Sequence, residues 1–278
     1  MTWQEVLKTG TARLKECGIE EAGQDAWILL EKYGQIDRAH YFLQQTEEMP
    51  ETVRVKYAQA IEKRAQRIPV QQITGRQEFC GLDFFVNEHV LIPRQDTECL
   101  VEEVLKKVKP ENHILDVCTG SGCIIISAQK LMKDRCHCFA TDISEEALKV
   151  ARQNAEHLDA DVTFWQGDLF ESVDGRFDCI VSNPPYIESE VIQGLEPEVR
   201  EHEPMLALDG KEDGLFFYRK IIKEAKNYLQ PGGWLLFEIG YLQGSAVSSL
   251  LEECGYQNIT VKKDLAGLDR IVLASLEQ

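Results

Sequence analysis

Phe177-Asp178-Cys179-Ile180-Val181-Ser182-Asn183-Pro184-Pro185-Tyr186 is the stretch from which the fold can be read. Its first six residues are mostly apolar or β-branched and run into two prolines, so a short buried strand stops there. Asn183 then sits at a strand's carboxyl end, where open α/β sheets place their ligand crevice. Each proline fixes its own φ and biases the residue before it toward extended backbone, which makes the loop stiff. Neither has an N–H, so the loop offers acceptors: the Asn183 side-chain oxygen and the Pro184 carbonyl, with Tyr186 as a flat wall beside them. Two fixed acceptors and an aromatic face suit a planar group bearing an NH2, such as a carboxamide or a nucleobase amine. A Pro-Pro turn with a capping Asn fits the same tetrapeptide, and the surrounding chain has to decide.

Upstream and downstream of this stretch, from Asn112 onward, strands and helices alternate, the signature of a parallel sheet covered on both faces. Strands are expected at 113–117, 136–142, 162–165, 177–182 and 234–239, with a closing hairpin of 259–262 and 270–274. Helices are expected at 124–132, at 145–157 with Ser144 as N-cap, at 214–229 stopped by Pro231-Gly232-Gly233, and at 244–254. Residues 1–68 read as an N-terminal helical bundle, since their apolar residues recur at helical spacing and Pro50 with Glu51 opens the last helix. Residues 69–95 form a linker in which 78–80 and 83–86, separated by Gly81-Leu82, read as a β-hairpin. Asp96 or Thr97 is the expected N-cap of the helix that follows.

Composition narrows the class. The 278 residues are 44% hydrophobic, enough for a real core, and no apolar run approaches the length of a membrane span. Met1-Thr2-Trp3-Gln4-Glu5 lacks a basic-then-apolar signal pattern, so a cytoplasmic location is expected. Nine cysteines without a CxxC pair point to reduced, half-buried thiols rather than a disulfide framework or a zinc site, and no metal is expected. The net charge of −17 counts against direct nucleic-acid binding, which draws its affinity from Lys and Arg.

Asp116-Val117-Cys118-Thr119-Gly120-Ser121-Gly122 joins the first strand of the sheet to its helix, and its glycines let backbone approach a ligand closely. The GxGxxG dinucleotide fingerprint would require a third glycine where Ile125 stands, and no GxxxxGK[ST] phosphate loop is present. Asp142 stands 20 residues beyond Gly122, at the next strand end, where an acid can bind both hydroxyls of a ribose. Asp168, followed by Leu169, ends the third strand in the corresponding way and suits an adenine amine; a helix cap or solvated charge fits it equally well. Together these residues describe a nucleoside pocket without a pyrophosphate cradle. S-adenosylmethionine matches it, because it carries adenosine and a sulfonium but no phosphate.

These residues resemble the class I S-adenosylmethionine-dependent methyltransferases, Rossmann-like folds with a seven-stranded, mostly parallel sheet. Asn-Pro-Pro-Tyr alone is shared with amino-directed DNA and RNA methyltransferases. The stretches 69–75 (PVQQITG), 91–94 (LIPR), Thr97-Glu98, Glu203-Pro204 with Ala207-Leu208, Asp213-Gly214-Leu215, and Asp264-Leu265-Ala266-Gly267 with Asp269-Arg270 are more specific. They resemble the protein-(glutamine-N5) methyltransferases of the PrmC/HemK family, the peptide chain release factor glutamine methyltransferases, over nearly the whole chain. The resemblance implies N5-methylation of the glutamine in the Gly-Gly-Gln loop of class 1 release factors. It makes 96–278 the methyltransferase domain and 1–68 a module that docks the release factor. It places the methyl donor on Asp116, Cys118, Thr119, Gly120, Ser121, Gly122, Asp142, Asp168, Leu169 and Asn183. The substrate glutamine falls on Asn183, Pro184, Pro185 and Tyr186, with Asn183, Pro184 and Tyr186 as catalytic residues. The chain departs from the family pattern at Cys118, where glycine is usual and which is expected to keep φ negative. Further departures are Gln95-Asp96 for the common Pro-Glu, Lys211 in a usual Gly-Gly pair, and Leu268 for a usual Arg. A ribosomal-protein glutamine methyltransferase and an amino methyltransferase of DNA or RNA are the alternatives.

Overall fold

Thr2 opens the chain's first helix by a reciprocal cap: its hydroxyl accepts from the Glu5 N–H, and the Glu5 carboxylate accepts from the Thr2 N–H at 2.8 Å. In the computed structural model, which describes residues 1–277, this helix is α1 (Trp3–Glu16). It is followed by α2 (Ala22–Gly34), α3 (Arg38–Gln44), α4 (Glu51–Ala65) and the short α5 (Val70–Thr74). Gln278, the last residue of the expected methyltransferase domain, lies outside the described residues. The chain continues through β1 (Arg76–Phe79), β2 (Leu82–Phe85), α6 (Gln95–Lys107), β3 (His113–Val117), α7 (Cys123–Leu131), β4 (His137–Asp142), α8 (Glu145–His157), β5 (Val162–Gln166) and β6 (Phe177–Ser182). After a 3₁₀ turn at Val191–Gly194 come α9 (Pro197–His202), α10 (Met205–Leu208), α11 (Phe216–Ala225), β7 (Leu229–Glu238), α12 (Gly244–Glu253), β8 (Gln257–Lys263) and β9 (Asp269–Ser275).

Two compact units result, one of Met1–Arg76 with Glu196–His202, the other of Gln77–Leu195 with residues from Glu203 onward. The first is helical, and Val6, Leu14, Leu29, Leu30, Tyr57 and Ile61 meet in its core. It also buries charge. Arg64 reaches Asp25 at 2.6 Å and Glu198 of α9 at 2.8 Å, and Arg67 joins Glu198 at 2.8 Å. Pairing is what makes such burial tolerable, because an isolated charge there would be strongly destabilising.

The second unit is built on a seven-stranded sheet in the order β5-β4-β3-β6-β7-β9-β8, parallel from β5 through β7, with β9 antiparallel to both β7 and β8. Strand residues alternate between two cores. Ile114, Val181 and Leu236 face α6 and α7, whereas Leu115, Ile180 and Phe237 face α11 and α12. Ser144 caps α8 as its sequence predicts, accepting from the Ala147 N–H.

Elsewhere the sequence misleads. The cap of α6 is Arg94 in extended conformation, because Asp96 turns away to pair with Arg270 at 3.2 Å. The helix expected at 214–229 ends at Ala225, and β7 begins at Leu229, before Pro231-Gly232-Gly233. That tripeptide does not stop the strand. Its extra residues fall in a register shift opposite Phe177 and Cys179, and pairing resumes at Trp234. The short helices α5, α9 and α10 carry too little periodicity to be read in advance. Among the described residues no helix is long and apolar enough to cross a membrane.

Candidate active site

The strand order reverses between β3 and β6, and such a switch point opens a crevice at the carboxyl ends of the strands. Val117 and Ser182 are the last paired residues there, and the Ser182 hydroxyl donates to the Val117 carbonyl at 2.6 Å. Cys118 and Asn183 therefore leave the sheet side by side. Over them lies a cavity of about 320 Å³. It is lined by Cys118, Thr119, Gly120 and Ser121 from the β3 turn, Asp142 from β4, Asp168 and Leu169 from beyond β5, and Asn183 and Pro185 from beyond β6. Val90, Leu91, Pro93, Leu206, Ala207, Phe216 and Phe217 make its apolar walls. Nine of the thirteen residues singled out from the sequence thus share one cavity.

Asp116, Gly122, Pro184 and Tyr186 do not line it. Asp116 lies beneath the turn, fully buried, and accepts from the Thr119 hydroxyl at 2.6 Å. Burial pushes its carboxyl up to about 7, against the pull of that hydrogen bond. Gly122 serves packing: a Cβ there would come within 2.9 Å of Ile126 Cδ1. A Cβ on Gly120 would meet nothing within 4 Å, so its surface faces open space.

Cys118 corrects an expectation. Its φ is +63°, not negative, a left-handed conformation that disfavours any Cβ. Lys211, another departure from the family pattern, is also left-handed, at φ +71°. Cys118 tolerates this because the turn is anchored around it: Thr119 N–H donates to the Thr141 carbonyl at 3.0 Å, and Thr119 holds Asp116. Enclosure by protein raises its thiol well above the ordinary range, so the sulfur stays protonated.

Asp142 is held by backbone. Its Oδ2 accepts from the Gly120 N–H at 2.8 Å and its Oδ1 from the Ser144 N–H at 2.9 Å. Each oxygen keeps a further lone pair for a ligand. Burial raises this carboxyl, and the backbone N–H groups of Ser144, Gly120 and Ile143 oppose the shift. Asp168 is exposed and paired with Lys220 at 2.9 Å. Leu169 is buried, its carbonyl accepting from Thr141 Oγ1 at 2.7 Å. The other cation of the lining, Arg94, donates to both oxygens of Glu203 at 2.7 and 2.8 Å. The cavity therefore offers paired acids and backbone, and its Arg and Lys are already engaged, which fits an adenosine-like ligand without phosphate.

Asn183 is half-buried, and the two prolines after it are buried. The Tyr186 backbone is clamped: its carbonyl accepts from Gln243 Nε2 at 3.0 Å, and a Cβ on Gly214 would lie 2.4 Å from that carbonyl oxygen. Its hydroxyl stands 3.5 Å from Glu238 Oε1, and burial together with that carboxyl raises the phenol to about 12. Glu238 was not singled out from the sequence. Its only signal is an acid between Phe237 and Ile239 in an apolar run.

Fold and site define a class I S-adenosylmethionine-dependent methyltransferase. A methyltransferase from Pyrococcus furiosus shares the fold, with a TM-score of 0.54 and 21% identity over 71% of this chain and 90% of that one. The family model of the PrmC N-terminal domain matches residues 5–75, and that of the methyltransferase small domain matches 94–196. The release factor glutamine methyltransferase of Geobacter sulfurreducens is 41% identical over 273 residues, covering 98% of this chain and 95% of that protein. That of Moorella thermoacetica is 42% identical over 280 residues, covering 99% and 98%. The chain belongs to the release factor glutamine methyltransferase family.

Proposed function

We propose that the protein transfers a methyl group from S-adenosylmethionine to the side-chain nitrogen of the Gly-Gly-Gln glutamine in class 1 release factors, in the cytoplasm. The observation that carries this reading is the meeting of Asn183 and Pro185 with the β3 turn and Asp142 in one cavity at the switch point. Asp142 suits the ribose hydroxyls, the 118–122 turn the amino-acid portion, and the Asp168-Leu169 segment the adenine. Residues 1–68 act as the docking module for the release factor, 69–95 as the linker, and 96–278 as the transferase. With a net charge of −17 and its lining Arg and Lys paired, the chain is a poor host for nucleic acid.

When bound, S-adenosylmethionine supplies an electrophilic sulfonium methyl. The chain's task is placement, because a carboxamide nitrogen is a weak nucleophile and alignment at about 3–3.5 Å accounts for much of the barrier. Asn183 Oδ1 and the Pro184 carbonyl accept from the two amide hydrogens, which orients the nitrogen and stabilises the positive charge that grows on it. Pro185 and Tyr186 hold the amide plane. No base is needed beforehand, since a methylated amide nitrogen is acidic enough to give its proton to water.

The test is transfer of labelled methyl to purified release factor, alongside its Gly-Gly-Gln→Gly-Gly-Ala variant, duplex DNA and ribosomes. Label on the wild-type factor alone is expected. Label on DNA or ribosomes instead would overturn the substrate while keeping the chemistry.

A further inference from the structure

Glu238 closes β7, is 2% exposed and is flanked by two fully buried apolar residues, Phe237 and Ile239. A carboxyl in such a place is costly unless well paired. This one is not. Its Oε1 has a long contact to the Tyr186 hydroxyl, Oε2 has no hydrogen-bond partner within ordinary distance, and the Thr97 and Asn183 side chains approach close enough to favour the charged form. The cation nearby, Arg270, is engaged by Asp96 and Asp264 at 3.2 Å each.

The sheet brings Asn183 to it. Strands β6 and β7 are parallel neighbours whose last register pair is Ser182 with Phe237, so Asn183 and Glu238 occupy the next position on each strand. The two ends of an Asn carboxamide have nearly the same shape, and which end faces a ligand depends on what holds the other. A carboxylate only accepts. We propose that Glu238 is the positioning residue for Asn183: its carboxylate takes the NH2 end of that side chain and turns Oδ1 toward the substrate amide. This rests on the acceptor role of Asn183 in the function proposed above.

A protonated Glu238 presents an O–H instead and takes the Oδ1 end, leaving the NH2 end against the substrate's own NH2. The surroundings put this exchange near neutrality. Burial pushes the Glu238 carboxyl up to about 7, Asp96 of α6 adds to the rise, and Thr97 of α6, Arg270 of β9 and Asn183 itself oppose it. Tyr186 and Tyr218 complete the ring of titratable neighbours, the latter donating its hydroxyl to the Glu238 carbonyl at 2.8 Å.

The test uses the full chain and needs no substrate for its first arm. The side-chain amide resonances of Asn183, assigned by their loss in Asn183→Ala, are followed over roughly pH 5.5–8.5. In the wild type they are expected to titrate with a midpoint of about 7. In Glu238→Gln they are expected to stay flat, and Glu238→Asp, which keeps the charge, restores a titration. Wild-type resonances that do not move, or that move equally in Glu238→Gln, overturn the proposal. On release factor, Glu238→Gln is expected to lower kcat about tenfold and to lose the acid limb of the rate profile, with the folded state and donor affinity kept. Unchanged kcat and an unchanged limb overturn it as well. A wild type that methylates no release factor overturns the substrate reading instead, and the resonance arm still decides the role of Glu238.

Discussion

Asp116 at the end of β3 and Glu238 at the end of β7 are both buried carboxyls pushed up to about 7 by desolvation, and they are handled in opposite ways. Asp116 lies beneath its loop and is gripped by Thr119 at 2.6 Å. Glu238 stands beside its loop with only a 3.5 Å contact from the Tyr186 hydroxyl on Oε1; each acid has its other oxygen, Asp116 Oδ1 and Glu238 Oε2, without a partner. The first arrangement fixes a backbone turn that grips a ligand by shape. The second leaves an acceptor free beside the side chain proposed to orient the reacting group. Equal burial thus serves rigidity at one strand end and chemistry at the other.

The comparison can be broken at the chemical end first. Asn183→Ala is expected to cut turnover by about 10²–10³ with donor affinity within roughly tenfold, measured by single-turnover transfer and calorimetry. Turnover near wild type would remove the acceptor role. At the structural end, Thr119→Val removes the hydroxyl that donates to Asp116 at 2.6 Å and is expected to lower unfolding stability by about 1–3 kcal/mol, read by denaturant titration.

Both acids should then appear together in the pH dependence of stability. Each binds its proton more tightly folded than unfolded, so their contribution is present at low pH and is lost as pH rises through the window from about 4 to about 7. The double variant Asp116→Asn with Glu238→Gln is expected to flatten that fall in denaturation midpoints taken across the window. The smallest effect belongs to the turn itself. Cys118→Gly relieves a left-handed residue and is expected to raise stability by about 1 kcal/mol in the same assay.

Much of this was legible in the chain. Strands His113–Val117 and Phe177–Ser182 and the helix Glu145–His157 fall where periodicity and the Ser144 cap put them, because local pattern and tertiary burial agree there. The acid and the glycine turn at successive strand ends likewise converge on one cavity. What failed was tertiary. Pro231-Gly232-Gly233 reads as a stop, but pairing with β6 carries the strand through it. Cys118 hides its left-handed backbone, which its anchored neighbours impose and which only the glycine usual at that position in the family could have signalled. Glu238 is one acid in an apolar run, and only the register of β6 against β7 reveals which side chain it serves.

The Ser182 hydroxyl on the Val117 carbonyl has a mechanical meaning. Parallel strands stand about 4.8 Å apart, so the loops proposed to hold donor and acceptor start from two rungs of one ladder. The gap to be crossed by the methyl group is then gauged by the backbone spacing of the sheet, and neither loop can widen it alone. Reaction distance becomes a property of the protein's most rigid layer, and a change at Ser182 would detune it without touching either reactant.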